Sequence, residues 1–183
     1  AHAKIRSIDT SAALALPGVH AVITGRDLPI KYGVIPWTMD ETALAVDKVR
    51  FVGDEVAAVA AVDEDTANAA VRLIKVEYEL LHPYLDPQES ATRSDPAIHE
   101  GHKGGNITKH VGLEFGDVDG GLASSPVVVE DDYLFHGTAH APIEMHCAVA
   151  RYGGDGVLTV WSSTQIPHYE HPALARLVEL PGH

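Results

Sequence analysis

Residues 133–168 read YLFHGTAHAPIEMHCAVARYGGDGVLTVWSSTQIPH. His136, His140, Glu144 and His146 crowd the first half, and Gly153-Gly154-Asp155-Gly156 forms a turn between two apolar runs. Val157 to Trp161 alternates weakly after that turn and predicts a strand. Ser162-Ser163-Thr164-Gln165 then offers N-cap oxygens, and Pro167 suits a first helical turn, so a helix is expected over 166–180. Such a strand-to-helix corner leaves backbone N–H groups unpaired beside the Gln165 amide, a setting that favours an oxyanion or a phosphate. An ordinary capped helix explains the same residues.

The imidazoles and the carboxylate admit three readings. Spaced by four, His136, His140 and Glu144 would share one helical face and could ligate a divalent metal. Gly137 and Pro142 argue against that helix, and Val149 and Tyr152 suit a strand. The second reading makes them polar side chains satisfied inside an α/β core. In the third they line a cofactor cleft without ligating anything, so no metal site is assigned.

Composition narrows the function classes. The 183 residues are 45% hydrophobic, enough for a substantial core. The formal charge of -13 would repel a phosphate backbone, so nucleic acid is an unexpected partner. No apolar run approaches the roughly 18 residues of a membrane span, and no leader is expected. One cysteine, Cys147, excludes an internal disulfide framework. It fits a reducing, cytoplasmic setting and is expected to be a small buried hydrophobe.

Upstream, residues 1–8 read as the end of a strand whose beginning is missing. Asp9-Thr10-Ser11 caps a short helix that Pro17-Gly18 ends, and Val19–Thr24 is a buried strand. Residues 44–51 and 55–62 predict two strands joined by Val52-Gly53-Asp54, where aspartate bonds nearby backbone. Asp63 caps a helix to about Leu73 with Ala67, Ala70, Val71 and Ile74 inward, and residues 74–81 alternate as a half-exposed strand. Residues 82–106, rich in proline and polar residues, read as a linker whose His99 and His102 are solvated, as is the nearby His110. Beyond it, 107–115 and 127–135 predict strands, with a short helix starting at Gly116-Asp117-Val118-Asp119.

Two of these stretches together resemble the large subunit of the molybdenum hydroxylases, the xanthine oxidase and aldehyde oxidase family. One is Gly137, His140, Glu144, then strand, glycine turn and Trp161-Ser162-Ser163-Thr164-Gln165 with Pro167-His168. The other is Leu44-Ala45-Val46-Asp47-Lys48-Val49-Arg50-Phe51-Val52-Gly53-Asp54, which resembles the signature of that family's hammerhead domain. They occur in the expected order over almost the whole chain. Within the family, residues 31–36 (KYGVIP) and 137–144 (GTAHAPIE) are most similar to the 4-hydroxybenzoyl-CoA reductases, alpha subunit. Ala139 stands where xanthine-type members carry an acidic or amide residue, and Pro142 where they carry an aromatic one. The resemblance therefore points to an aromatic acyl-CoA substrate, losing its phenolic hydroxyl, before a purine or an aldehyde.

The resemblance implies an α/β (α+β) fold: a hammerhead domain over 1–86, a linker over 87–106 and the start of a molybdopterin-binding domain over 107–183. It implies molybdopterin cytosine dinucleotide as cofactor, iron–sulfur and FAD subunits as partners, and a hetero-oligomer. Gln165 matches the glutamine that hydrogen-bonds an oxo ligand of molybdenum, with Ser163 and Thr164 beside it as cofactor-binding residues. His140 and Glu144 are assigned to shaping the cleft. The family's glycine-rich cofactor loop and catalytic glutamate are expected beyond His183, so no catalytic residue is assigned within 1–183 and no turnover is expected of these residues alone. A xanthine, aldehyde or carbon monoxide dehydrogenase is the runner-up within the family. A non-catalytic scaffold and a small metalloprotein using His136, His140 and Glu144 are the rivals outside it.

Overall fold

The structure is a computed structural model and describes residues 2–33, 35, 38–93 and 95–182. Val34 and Pro36, which carry part of the 31–36 resemblance, lie outside them.

Aspartates set most of the helix starts. β1 (Ala3–Asp9) ends at Asp9, whose Oδ1 accepts from the Ser11 N–H and hydroxyl at 3.0 and 2.6 Å and so opens α1 (Ser11–Leu14). β2 (Val19–Thr24) spans the predicted residues, and Asp27 closes the following turn by accepting from the Thr24 N–H at 2.7 Å. β3 (Lys48–Val49) and β4 (Ala57–Ala61) are shorter than expected. Asp63 accepts from the Thr66 N–H at 2.8 Å and caps α2 (Glu64–Val71), which leads into β5 (Lys75–Leu80). An oxygen at this position satisfies an N–H that the first turn leaves without a helical partner. Asp86 and Asp117 do the same for α3 (Pro87–Thr92) and α4 (Val118–Ser124). β6 (Ala148–Tyr152), β7 (Leu158–Ser162) and α5 (Pro167–Leu177) follow.

The chain divides into two compact units, residues 1–109 with 166–183, and residues 110–165. In the first, β1 is flanked by β3 and β5, both antiparallel to it, while β2 pairs antiparallel with β4 in a second sheet. The expected hairpin between residues 44–51 and 55–62 therefore does not form. Its arms join different sheets, and the link between them is the Ala45 N–H donating to the Glu55 carbonyl at 2.7 Å. The turn itself is made as expected, with Asp54 Oδ2 accepting from the Arg50 N–H at 2.9 Å. Ala3, Ala45 and Val49 are the buried centre, with Ile5 and Val56 packed against them. Gly25 lets two backbones meet, because a Cβ there would lie 2.4 Å from the Ala45 carbonyl oxygen. Of the inward stripe expected on α2, Ala70 is buried and Ala67 and Ile74 are half-buried, but Val71 faces out.

Residues 93–106 are tied to this unit. Lys48 Nζ donates to the Ala97 carbonyl at 2.8 Å, Arg50 Nε to the Ile98 carbonyl at 3.0 Å, and the Tyr84 hydroxyl to the Pro96 carbonyl at 3.0 Å. Asn106 braces the loop internally, accepting from the Ile98 N–H at 2.8 Å and donating to the Arg93 carbonyl at 2.9 Å.

The second unit contains α4 and the β6–β7 hairpin, paired from Ala148 with Ser162 to Tyr152 with Leu158. Gly156, at φ +79°, and Asp155, whose Oδ1 accepts from the Val157 N–H at 3.1 Å, form the turn that Gly153-Gly154-Asp155-Gly156 announced. The strands expected over 107–115 and 127–135 are absent. A strand exists only through a ladder, and these stretches have none, leaving Phe115, Val127 and Phe135 85%, 75% and 88% exposed. Among the described residues, no helix is long and apolar enough to cross a membrane.

Candidate functional site

Ser163 continues the β6–β7 ladder by one step. Its N–H and its hydroxyl both donate to the Cys147 carbonyl at 3.3 Å, and the hydroxyl accepts from the Cys147 N–H at 3.3 Å. The serine oxygen expected at a helix cap is thus spent on the hairpin. Ile166 occupies the N-cap of α5 and has no capping side chain. The helix start also offers fewer donors than expected: Pro167 has no N–H, and the Tyr169 and Glu170 N–H groups donate to the Ile166 carbonyl at 3.0 and 3.1 Å. Of the three residues assigned to the cofactor, Ser163 and Gln165 are exposed and Thr164 is half-buried. Gln165 is the one whose neutral amide offers two side-chain N–H donors.

His136, His140, Glu144 and His146 are exposed, which overturns their reading as core residues. Residues 136–146 form no helix, with Ala141 at φ 47°, so the spacing of four never becomes a shared face. Among the described residues, His136, His140 and Glu144 do not gather as metal ligands. Cys147 is exposed rather than buried.

A different cluster does gather. Asp40 Oδ2 lies 2.6 Å from His99 Nδ1 and 3.4 Å from His102 Nε2, and the imidazoles stand edge to face with centroids 5.9 Å apart. A cavity of about 230 Å³ opens beside them, lined by Ile98, His99, His102, Gly105, Asn106 and Thr108. Burial pushes the Asp40 carboxyl up, but the hydrogen bonds and charges of His99 and His102 outweigh it and hold the group below its usual value. The histidines read as solvated in the sequence because their partner lies 59 and 62 residues away. No local spacing could have disclosed it.

Residues 1–82 match the aldehyde oxidase and xanthine dehydrogenase a/b hammerhead domain, and residues 98–183 match a molybdopterin cofactor-binding domain. The chain is 40% identical to the nicotinate dehydrogenase large molybdopterin subunit of Eubacterium barkeri, over 99% of this chain and 42% of that protein. It is 34% identical to the xanthine dehydrogenase molybdenum-binding subunit of Escherichia coli O157:H7, over 99% of this chain and 25% of that protein. Among solved structures, the aldehyde oxidoreductase from Desulfovibrio gigas superposes with a TM-score of 0.82 at 32% identity, covering 99% of this chain and 21% of that one. The chain thus spans less than half the length of these relatives.

Proposed function

The chain belongs to the xanthine oxidase family of molybdenum hydroxylases, and we propose that it serves in the molybdenum-containing large subunit of a dehydrogenase acting on an N-heteroaromatic or related small substrate. One observation carries this reading: a hammerhead domain and a molybdopterin-binding domain follow each other along the chain, over 1–82 and 98–183. Within this reading we place the domains over 1–86 and 107–183 with 87–106 connecting them, so that the match over 98–183 takes in the end of the connector. The substrate class is supported by the likeness to a nicotinate dehydrogenase and a xanthine dehydrogenase. The aromatic acyl-CoA reading is the weaker one, since it rests on the wording of residues 31–36 and 137–144 against those relatives.

When bound, molybdopterin, in its cytosine dinucleotide form, would supply two-electron redox chemistry at molybdenum. This chain's part is to bind and orient. Gln165 fits as a donor to an oxo-type acceptor because its amide is exposed and carries N–H groups. Ser163 fits less well, its hydroxyl being engaged with Cys147. In this reading Thr164 lies against the cofactor, and His140 and Glu144 shape the cleft. One cysteine within residues 1–183 cannot supply the four thiolates of an iron–sulfur cluster, so these residues hold none. By the resemblance, iron–sulfur clusters and FAD are assigned to partner subunits of a hetero-oligomer.

The test is a substrate panel on the full-length subunit expressed with its partners. Dye reduction with nicotinate or xanthine supports the reading. Benzoyl-CoA formation from 4-hydroxybenzoyl-CoA, without dye reduction on the heterocycles, would replace it. Molybdenum-loaded protein inert to both would contradict it.

A further inference from the structure

We propose that Asp40, His99 and His102 form a binding site for a divalent zinc-type ion, separate from anything the molybdenum reading requires. Two imidazoles and one carboxylate are a donor set that suits zinc, and their ligand atoms all lie within 4.8 Å of one another. Tetrahedral zinc with bonds of about 2.0–2.1 Å holds its donors roughly 3.3 Å apart. The 3.4 Å between His102 Nε2 and Asp40 Oδ2 already matches that separation. The 2.6 Å between His99 Nδ1 and Asp40 Oδ2 is a hydrogen-bond distance. On binding through Nδ1, the His99 ring proton moves to Nε2, leaving a neutral imidazole ligand, and rotation of the carboxylate opens the gap by roughly 0.7 Å.

The histidines sit on a loop held from both sides. Lys48 and Arg50 grip the carbonyls of Ala97 and Ile98, and the Asn106 side chain ties Ile98 to Arg93. Ligands on a braced loop need little reorganisation on binding. The cavity beside them, about 230 Å³, has room for a water as fourth ligand. Asp40 supplies the anionic ligand, its Oδ2 lying 2.6 and 3.4 Å from the two imidazole nitrogens. Bound there, the ion would clip the chain around Asp40 to the 98–106 loop and raise the stability of the unit that contains both.

The test is equilibration of the full-length protein with zinc chloride, followed by dialysis against metal-free buffer, metal analysis and thermal melting. The expected result is about one retained zinc per chain, with a melting temperature that rises with zinc and falls again with chelator. His99→Gln or Asp40→Asn should weaken binding by at least about a hundredfold, since even outer-shell partners are worth 10- to 100-fold. His20→Gln with His171→Gln should leave it unchanged. Should the ligand variants misfold, cobalt substitution of the unmutated protein decides, because tetrahedral cobalt gives a strong visible absorption. Absence of retained zinc and of that absorption, or equal retention by folded His99→Gln protein, would overturn the proposal and leave a hydrogen-bonded triad only.

Discussion

Lys48 Nζ donates to Glu100 Oε1 at 2.5 Å, although the Lys48 side chain is 6% exposed and that of Glu100 67%. The lysine is the member that cannot recover water if the contact is lost.

The two halves of this pair should therefore respond unequally to mutation. Glu100→Gln leaves a buried ammonium without its counter-charge, whereas Lys48→Met removes the charge and keeps the apolar stem packed. Because Glu100 is mostly exposed, the cost of Glu100→Gln is discounted to about 1–2 kcal/mol, still above that of Lys48→Met. Urea denaturation of both variants checks this, and the reverse order would contradict it.

Gly25 gives a steric prediction. A methyl group there meets the Ala45 carbonyl oxygen at 2.4 Å and the Leu44 carbonyl oxygen at 2.7 Å, both backbone atoms. Gly25→Ala should destabilise the first unit by about 1–3 kcal/mol, as overpacking does. An unchanged melting curve would show that the two backbones can separate freely.

Acid should weaken the fold through its aspartates. Hydrogen bonds from Ser11, Thr24 and Thr66 hold the Asp9, Asp27 and Asp63 carboxyls below their ordinary value of 3.8. A carboxyl with a lowered folded pKa contributes stability that is complete above its unfolded value and is lost as pH falls through the folded one. Stability should accordingly decline between about pH 5 and 2. Asp63→Asn retains a capping oxygen but cannot titrate, and should flatten that slope. A slope identical to that of the unmutated chain would refute the assignment.

The residues that were legible in the sequence are those whose structure is settled by near neighbours. Asp63 finds Thr66, Asp54 finds Arg50, and Gly153 to Gly156 close their hairpin, all within a few residues. Pairing between distant strands was not legible. Residues 44–51 and 55–62 read as a hairpin, but β3 belongs beside Ala3 and Lys4 while β4 belongs beside β2. Residues 107–115 and 127–135 have the composition of strands and no ladder, because composition favours extension without providing an edge to pair with. At the candidate site, the order of motifs was readable, while the loss of the Ser163 hydroxyl to Cys147 depended on a contact 16 residues away.

Gln165 carries the functional prediction. In the full-length enzyme, Gln165→Ala should lower kcat by about a hundredfold, the scale for deleting one preorganised donor, with molybdenum content and subunit assembly unchanged. Full activity would remove Gln165 from the site, and loss of molybdenum would make it a residue that retains the cofactor.

The central claim is that residues 98–183 help to hold a molybdenum–pterin group, and the most direct test is the metal and nucleotide content of the purified full-length subunit with its partners. About one molybdenum and one cytidine nucleotide per chain are expected. A folded, assembled complex that carries iron–sulfur and flavin but neither molybdenum nor pterin would contradict it and identify this chain as a scaffold.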